Sequence, residues 1–162
     1  MDLKKLTQGD QIIGVSGIVL FIISFFNWLG YSVSGVRSLP GVPTSASATA
    51  WHFTLTLLAV LLGLALLAYV VLKAVGVEMP STFGSITLAQ VVLGVAAVAF
   101  LFVLIKVIAG PNGITTGSVG GVTVSKTRKF GIFVGLIATI GLVAGAFLNF
   151  RAEQSSSSPP SA

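Results

Sequence analysis

Four long apolar stretches, separated by more polar loops, dominate the chain. They cover about residues 12–29, 53–72, 86–108 and 130–150. Each is close to the ~20 residues that a helix needs to cross ~30 Å of hydrocarbon. A helix also satisfies its backbone hydrogen bonds within one such stretch, as lipid requires. The pattern predicts an all-α membrane protein, in which residues 1–150 form a bundle of four transmembrane helices.

The first apolar stretch has one feature of a secretory signal, because Lys4 and Lys5 precede it. A signal peptide, however, has a shorter apolar core and a cleavage site directly behind it. Here the small residues "ASATA" at 46–50 begin well after the stretch has ended. We therefore interpret the first stretch as a retained membrane helix.

The loops differ in composition. Residues 30–50 are rich in Ser, Gly, Thr and Pro, and residues 109–129 contain the turn formers "PNG" and "GG". The segment "VTVSKT" at 122–127 alternates apolar and polar positions, as a strand does. It is either a short β-hairpin, paired with "YSVSGV" at 31–36, or an irregular loop. The Ser- and Pro-rich tail at 151–162 is expected to be disordered.

Small residues recur at helical spacing within the apolar stretches, although glycine costs a helix about 1 kcal/mol relative to alanine in water. In lipid, small residues let helices approach closely, and this contact holds them together. We therefore predict a helix-packing face made of Gly131, Gly135, Ala138, Gly141 and Gly145 on the fourth helix, Gly14, Gly17 and Ser24 on the first, Ala59 and Gly63 on the second, and Gly94 and Ala97 on the third. Either these faces meet inside one bundle, or the fourth helix binds a membrane-protein partner or a second copy of the chain.

Aromatic and polar residues near the ends of the stretches suggest how the helices sit in a bilayer. Trp28, Trp51 and Lys129 are predicted interfacial anchors. Asn27 and Gln90 are predicted polar residues within the membrane, with Gln90 either bonding to a neighbouring helix or contacting a substrate. Lys106, near the end of the third stretch, is expected to extend its ammonium group to the headgroups.

Composition supports a lipid environment. Apolar residues make up 54% of the chain and charged residues 8%, whereas soluble domains carry about 25% charged residues. The net charge is +5, but most of the basic residues flank apolar stretches and do not form one patch. The expected partner of these charges is the anionic surface of a lipid bilayer, and nucleic-acid binding is not expected.

Candidate chemistry is sparse. The acids Asp2, Asp10, Glu78 and Glu153 lie at predicted ends, loops or tails, away from the membrane centre, where ionisable groups mark proton or ion paths. The chain has one histidine, His52, and no cysteine, so we predict no metal site and no cofactor. No catalytic motif is present, and an enzyme is not expected.

Two segments, "MDLKKLTQGDQIIGVSGIVLFIISFFNWLG" and "KFGIFVGLIATIGLVAGAFLNF", resemble small four-helix membrane proteins of actinobacteria. The shared features are the basic start, the aromatic cluster at 25–28 and the basic residues followed by Phe-Gly at 128–131. The resemblance implies the four-helix architecture and a plasma-membrane location. It implies no activity.

Two functions remain open on sequence grounds. The first is a non-enzymatic structural or accessory subunit of a cell-envelope assembly, and the second is a small oligomeric transporter or pore. With both termini inside, the cytoplasmic side would carry four Lys and Arg residues and the outer side five, so charge does not decide the orientation. The Ser- and Gly-rich loops are typical of extracytoplasmic segments. With the resemblance added, they favour cytoplasmic termini.

Overall fold

The computed structural model describes residues 3–35, 43–111 and 116–157. Within these ranges the chain forms four α-helices: α1 Gln8–Ile23, α2 Thr54–Val75, α3 Leu88–Ala109 and α4 Phe130–Ser156. Two short 3-10 helices, Leu3–Lys5 and Ala50–His52, precede α1 and α2. Helices α2, α3 and α4 are long and apolar enough to cross a membrane, whereas α1 is a shorter apolar helix. Three candidate spans therefore support the predicted membrane association.

The first helix is displaced from its predicted bounds of 12–29. It begins at Gln8 because Thr7 and Asp10 form a capping box, in which each side chain accepts a hydrogen bond from the backbone of the other residue. It ends at Ile23, and Ser24 follows as the C-cap. The predicted helix was wrong at both ends, because apolarity continues past Ile23 into a strand.

The four helices pack in a ring, in which α1 contacts α2, α2 contacts α3, α3 contacts α4, and α4 contacts α1. Successive helices run in opposite directions, since the start of α1 meets the end of α2 and the start of α3 meets the end of α4. The core between them is apolar. Its buried members include Ile13, Leu20, Val60, Leu66, Ala96, Val103, Leu142 and Ala146.

The described residues also form β-structure, which corrects the all-α prediction. Strands β1 Asn27–Ser34, β2 Ser45–Thr49, β5 Gly117–Val119 and β6 Val122–Arg128 make an antiparallel sheet in the order β2-β1-β6-β5. A separate two-stranded hairpin, β3 Thr82–Phe83 and β4 Ile86–Thr87, precedes α3.

Of the two interpretations of residues 122–127, the structure shows the β-hairpin paired with the first loop. Strands β5 and β6 form a hairpin whose turn residues, Gly120 and Gly121, have φ values of 60° and 81°. Such left-handed turns match the twist of the flanking strands and favour glycine. Strand β6 then pairs with β1, with Tyr31 opposite Lys126 and Val33 opposite Val124.

The sheet lies at one end of the helices, called here the sheet end. Strand β1 follows α1, and β6 leads into α4, whose N-cap is Lys129. The Lys129 N–H donates to the Trp28 carbonyl at 2.9 Å. The Arg128 guanidinium donates to the carbonyls of Val107 and Ile108 in the last turn of α3. These contacts fix the sheet to α3 and α4. The opposite end is called the distal end.

Trp28 is a core residue and not the predicted interfacial anchor. It lies in β1, its side chain is fully buried, and its indole N–H donates to the Ile23 carbonyl at 2.8 Å. The glycines of α4 provide its space: a Cβ on Gly131 would lie 2.6 Å from Trp28 Cδ1, and one on Gly135 would overlap the ring. Asn27 also belongs to β1, where its side chain is exposed, so it is not a polar residue of a membrane helix.

The rest of the α4 small-residue face packs on α1. A Cβ on Gly145 would lie 2.6 Å from the Gly9 carbonyl oxygen, and one on Gly141 would overlap the Ser16 hydroxyl. Ala138 is 4% exposed. The neighbours of Gly141 and Gly145 thus belong to the same chain.

On α1, Gly17 faces α2, with Leu67 Cβ 3.1 Å from a Cβ built on it, and Gly14 faces Val70 of the same helix. Ser24 is buried, but it joins the end of α1 to the segment before α2, because its hydroxyl accepts from the Trp51 indole N–H at 3.2 Å. Trp51 is half-buried against the Phe25 ring, with centroids 5.8 Å apart. It lies in the 3-10 helix Ala50–His52, just before α2 begins at Thr54.

Two predicted positions on α3 were wrong. Gly94 is exposed and has no atom within 4 Å of a Cβ built on it, so it is not part of a helix-packing face. Gln90 is also exposed and closes a capping box with Thr87 at the start of α3. It bonds to its own helix and not to a neighbour.

The tail prediction was wrong for residues 151–156, which continue α4 to Ser156. The helix extends past its apolar part because Arg151, Ala152, Glu153 and Gln154 form helices well. Residues 158–162 lie outside the described part of the chain.

Candidate functional site

Asp10 is the centre of a polar cluster at the distal end, formed by Thr7, Asp10, Lys73 and Asn149. Its side chain is fully buried in the first turn of α1. One carboxylate oxygen lies 2.6 Å from Lys73 Nζ, and the other accepts from Asn149 Nδ2 at 2.7 Å. A buried carboxylate is tolerated only when it is paired and hydrogen-bonded, and Asp10 meets both conditions.

The polar cluster joins three helices. Lys73 comes from the last turn of α2 and Asn149 from α4, while Thr7 is the N-cap of α1. The Thr7 hydroxyl also donates to Asn149 Oδ1 at 2.6 Å, so both ends of the amide are used. Removing one member would leave a buried polar group without its partner.

Lys73 has a second neighbour. Its ammonium lies 5.8 Å from the centre of the Tyr69 ring, one helical turn earlier on α2, within cation–π range. The Lys73 side chain is 35% exposed, so this wall of the cluster is open to the outside.

The remaining helix, α3, is connected to α4 at the distal end through Glu153. The Thr87 hydroxyl donates to one Glu153 carboxylate oxygen at 2.9 Å. Thr87 is the N-cap of α3, so the carboxylate lies near the positive end of the helix dipole.

A cleft of about 520 Å³ opens between these groups, called here the distal cleft. Its polar lining includes Tyr69, Lys73, Asn149 and Glu153, and its apolar lining includes Met79 and Leu88. The mixed lining suits a small molecule or headgroup with charged and apolar parts.

The charges at the distal cleft do not cancel. Asp10 and Lys73 neutralise each other in the one ion pair found within the described ranges. Glu153 has a hydroxyl donor but no cation within ion-pair distance among those residues. Among the described residues, the cleft therefore has a carboxylate without a paired cation beside a paired, partly exposed ammonium.

The sheet end contains a different polar group. Lys106 is 1% exposed, and its ammonium makes no hydrogen bond in the described structure. It lies 5.1 Å from the centre of the Phe53 ring, at the start of α2. The expectation that Lys106 extends to headgroups was wrong, because its side chain turns into the helices.

The described residues contain no group of three His, Cys, Asp or Glu side chains that could hold a metal ion. Among the described residues, the buried side chains between Asp10 at the distal end and Lys106 at the sheet end are apolar, apart from a few hydroxyl groups. One of these, the Thr139 hydroxyl, donates to the Leu136 carbonyl of its own helix. The arrangement can hold helices together and bind a polar ligand at the distal cleft.

The polar cluster was not predicted from the sequence, although Asp10 lies just before the first apolar stretch and Lys73 just after the second. The signal was present: antiparallel neighbours bring the start of α1 beside the end of α2, and these two positions carry opposite charges. The pattern "TQGD" at residues 7–10 also marks a capping residue followed three positions later by its acid. Neither signal shows that Asp10 is buried or that Asn149 reaches it.

Comparison with known proteins finds no matching family, no similar curated protein and no similar solved structure.

Proposed function

We propose that this protein is a multi-pass plasma-membrane protein and a non-enzymatic accessory subunit of a cell-envelope assembly. Three helices long and apolar enough to cross a bilayer support the membrane location. In this proposal α1 is a fourth, shorter crossing. Its 16 residues span about 24 Å, and local thinning of the bilayer accommodates such a helix.

The aromatic side chains at the sheet end support this placement. Phe25, Phe26 and Phe130 are 58%, 55% and 72% exposed, at the level where α1 ends and α4 begins. Aromatic residues collect at membrane boundaries. The sheet would then lie outside the hydrocarbon on the extracytoplasmic side, and both termini would be cytoplasmic. Without the buried Lys106, each side carries four Lys and Arg residues, so the orientation rests on the composition of the loops.

One observation supports the accessory role. The polar and small residues of the helices mostly contact other parts of the same chain, whereas the edges of the sheet have no second neighbouring strand within the described residues. Within the described residues, β2 and β5 each have a single neighbouring strand. Edge strands offer unpaired backbone groups to an extended segment of another protein. Val119, at the end of β5, is 84% exposed. We therefore place the partner, another envelope protein, at the sheet and not on the small-residue face of α4.

The test is the native size of the tagged protein in mild-detergent extracts, compared with the purified chain in the same detergent. We expect a discrete, larger species that Val119→Glu reduces to the size of the purified chain, because a carboxylate at this edge opposes an apolar contact. Phe83→Glu is the matched control, since Phe83 is 56% exposed in the β3–β4 hairpin at the distal end. A parent protein that already migrates at the size of the purified chain would contradict the accessory role.

A further inference from the structure

We infer that the distal cleft binds the headgroup of an aminophospholipid, with the lipid phosphate near Lys73 and its primary ammonium on Glu153. The inference rests on the membrane placement proposed above. It goes beyond it by assigning a ligand class to a site that the accessory role does not use.

The position of the distal cleft favours a lipid ligand. The cleft is lined by the last turns of α2, the first turn of α3 and the C-terminal part of α4. These are the ends of the three helices that are long enough to cross a bilayer. If they cross it, the distal cleft lies at the depth where hydrocarbon gives way to headgroups, and lipid is the most abundant molecule there.

The charges of Lys73 and Glu153 complement those of an aminophospholipid headgroup. The Lys73 ammonium has three N–H donors, and the ion pair with Asp10 uses one of them. Because the Lys73 side chain is partly exposed in the cleft, it can also donate to a phosphate oxygen. Glu153 has no cationic partner among the described residues, and its hydrogen bond to Thr87 uses one carboxylate oxygen. A primary ammonium with N–H donors complements the other oxygen.

The apolar part of the cleft also favours a lipid ligand. Met79, Val77 and Leu88 line it beside the charged groups. A soluble zwitterion would leave these side chains without a partner, whereas the glycerol and first acyl carbons of a lipid would cover them. The site therefore suits a lipid better than a free phosphate or a free amine.

The test is native mass spectrometry of the full-length protein in detergent, titrated with phosphatidylethanolamine and, separately, with phosphatidylglycerol of the same acyl chains. We expect one bound phosphatidylethanolamine, held about tenfold more tightly than phosphatidylglycerol, which is the size of one charge-assisted hydrogen bond. Glu153→Gln should abolish this preference. Its amide oxygen can still accept from Thr87, so the start of α3 keeps its contact. Glu78→Gln is the matched control, because Glu78 is exposed and does not line the cleft.

Equal retention of the two lipids by the parent protein, or an unchanged preference in Glu153→Gln, would overturn the inference. Displacement of the lipid by equimolar phosphoethanolamine would assign the cleft to a soluble zwitterion and would also overturn it. If the protein stays in the membrane through a carbonate wash and yet shows no lipid preference, the inference fails while the membrane placement stands.

Discussion

Replacing Gly135 with leucine is expected to lower the stability of the protein in detergent by about 1–3 kcal/mol or more, as overpacking of a filled core does. The reason is Trp28, whose buried ring occupies the place of any side chain at position 135. The ring is also held by its hydrogen bond to Ile23, so it cannot move aside without losing that bond. Thermal unfolding followed by near-ultraviolet circular dichroism measures the effect directly on the tryptophan environment.

Two further variants make the Gly135 result interpretable. Ile137→Leu should be nearly silent, because Ile137 is 67% exposed on the outer face of α4. Gly141→Leu should cost less than Gly135→Leu, since a side chain at 141 first meets the Ser16 hydroxyl, which can rotate away. Helix propensity alone predicts the opposite sign, because leucine forms helices better than glycine. A Gly135→Leu protein as stable as the parent would show that Trp28 does not occupy this space.

Replacing Lys73 with methionine is expected to destabilise the protein by about 3 kcal/mol, because it leaves the Asp10 carboxylate buried without its counter-charge. The value lies at the low end of the range for buried pairs, since the Lys73 side chain is 35% exposed and water reaches it. Guanidinium or thermal unfolding in detergent measures the loss. Lys5→Met is the matched control, because Lys5 is exposed at the same end of the molecule.

The double variant Asp10→Asn with Lys73→Met separates the lost charge pair from lost packing. It removes both charges and keeps an amide that can bond to Asn149, so we expect it to recover most of the stability that Lys73→Met loses. A double variant as unstable as Lys73→Met would mean that the ion pair is not what holds α1 to α2.

The apolar stretches predicted α2, α3 and α4 well, because the length of an apolar run is a local property of the sequence. The strand pattern of residues 122–127 and the double glycine before it made the β5–β6 hairpin one of two interpretations, and the structure shows it. The position of Trp28 could not be predicted in the same way. An aromatic residue at the end of an apolar run is typical of an interfacial anchor, and only the fold of β1 back against α4 shows that Trp28 is buried.

The same limit applies to the close contacts at both ends of the helices. At the sheet end, the glycines at 131 and 135 predicted a close approach to α4, but the group that approaches is an indole ring and not a helix backbone. Asp10, Lys73 and Asn149 lie far apart along the chain, and their meeting depends on the antiparallel order of the helices. The contact of Gln90, in contrast, depends only on neighbouring residues, since its capping box with Thr87 could be predicted from the sequence alone.

Cysteine accessibility tests most directly the proposal that the helices cross the membrane, with the sheet on the extracytoplasmic side and the polar cluster on the cytoplasmic side. The chain contains no cysteine, so Lys5→Cys, Ser47→Cys and Ser155→Cys each introduce one exposed thiol. In intact cells, a membrane-impermeant thiol reagent should label position 47 in β2, and should label positions 5 and 155 only after permeabilisation. Labelling of position 155 but not 47 in intact cells would reverse the orientation, and labelling of all three would contradict the crossing itself.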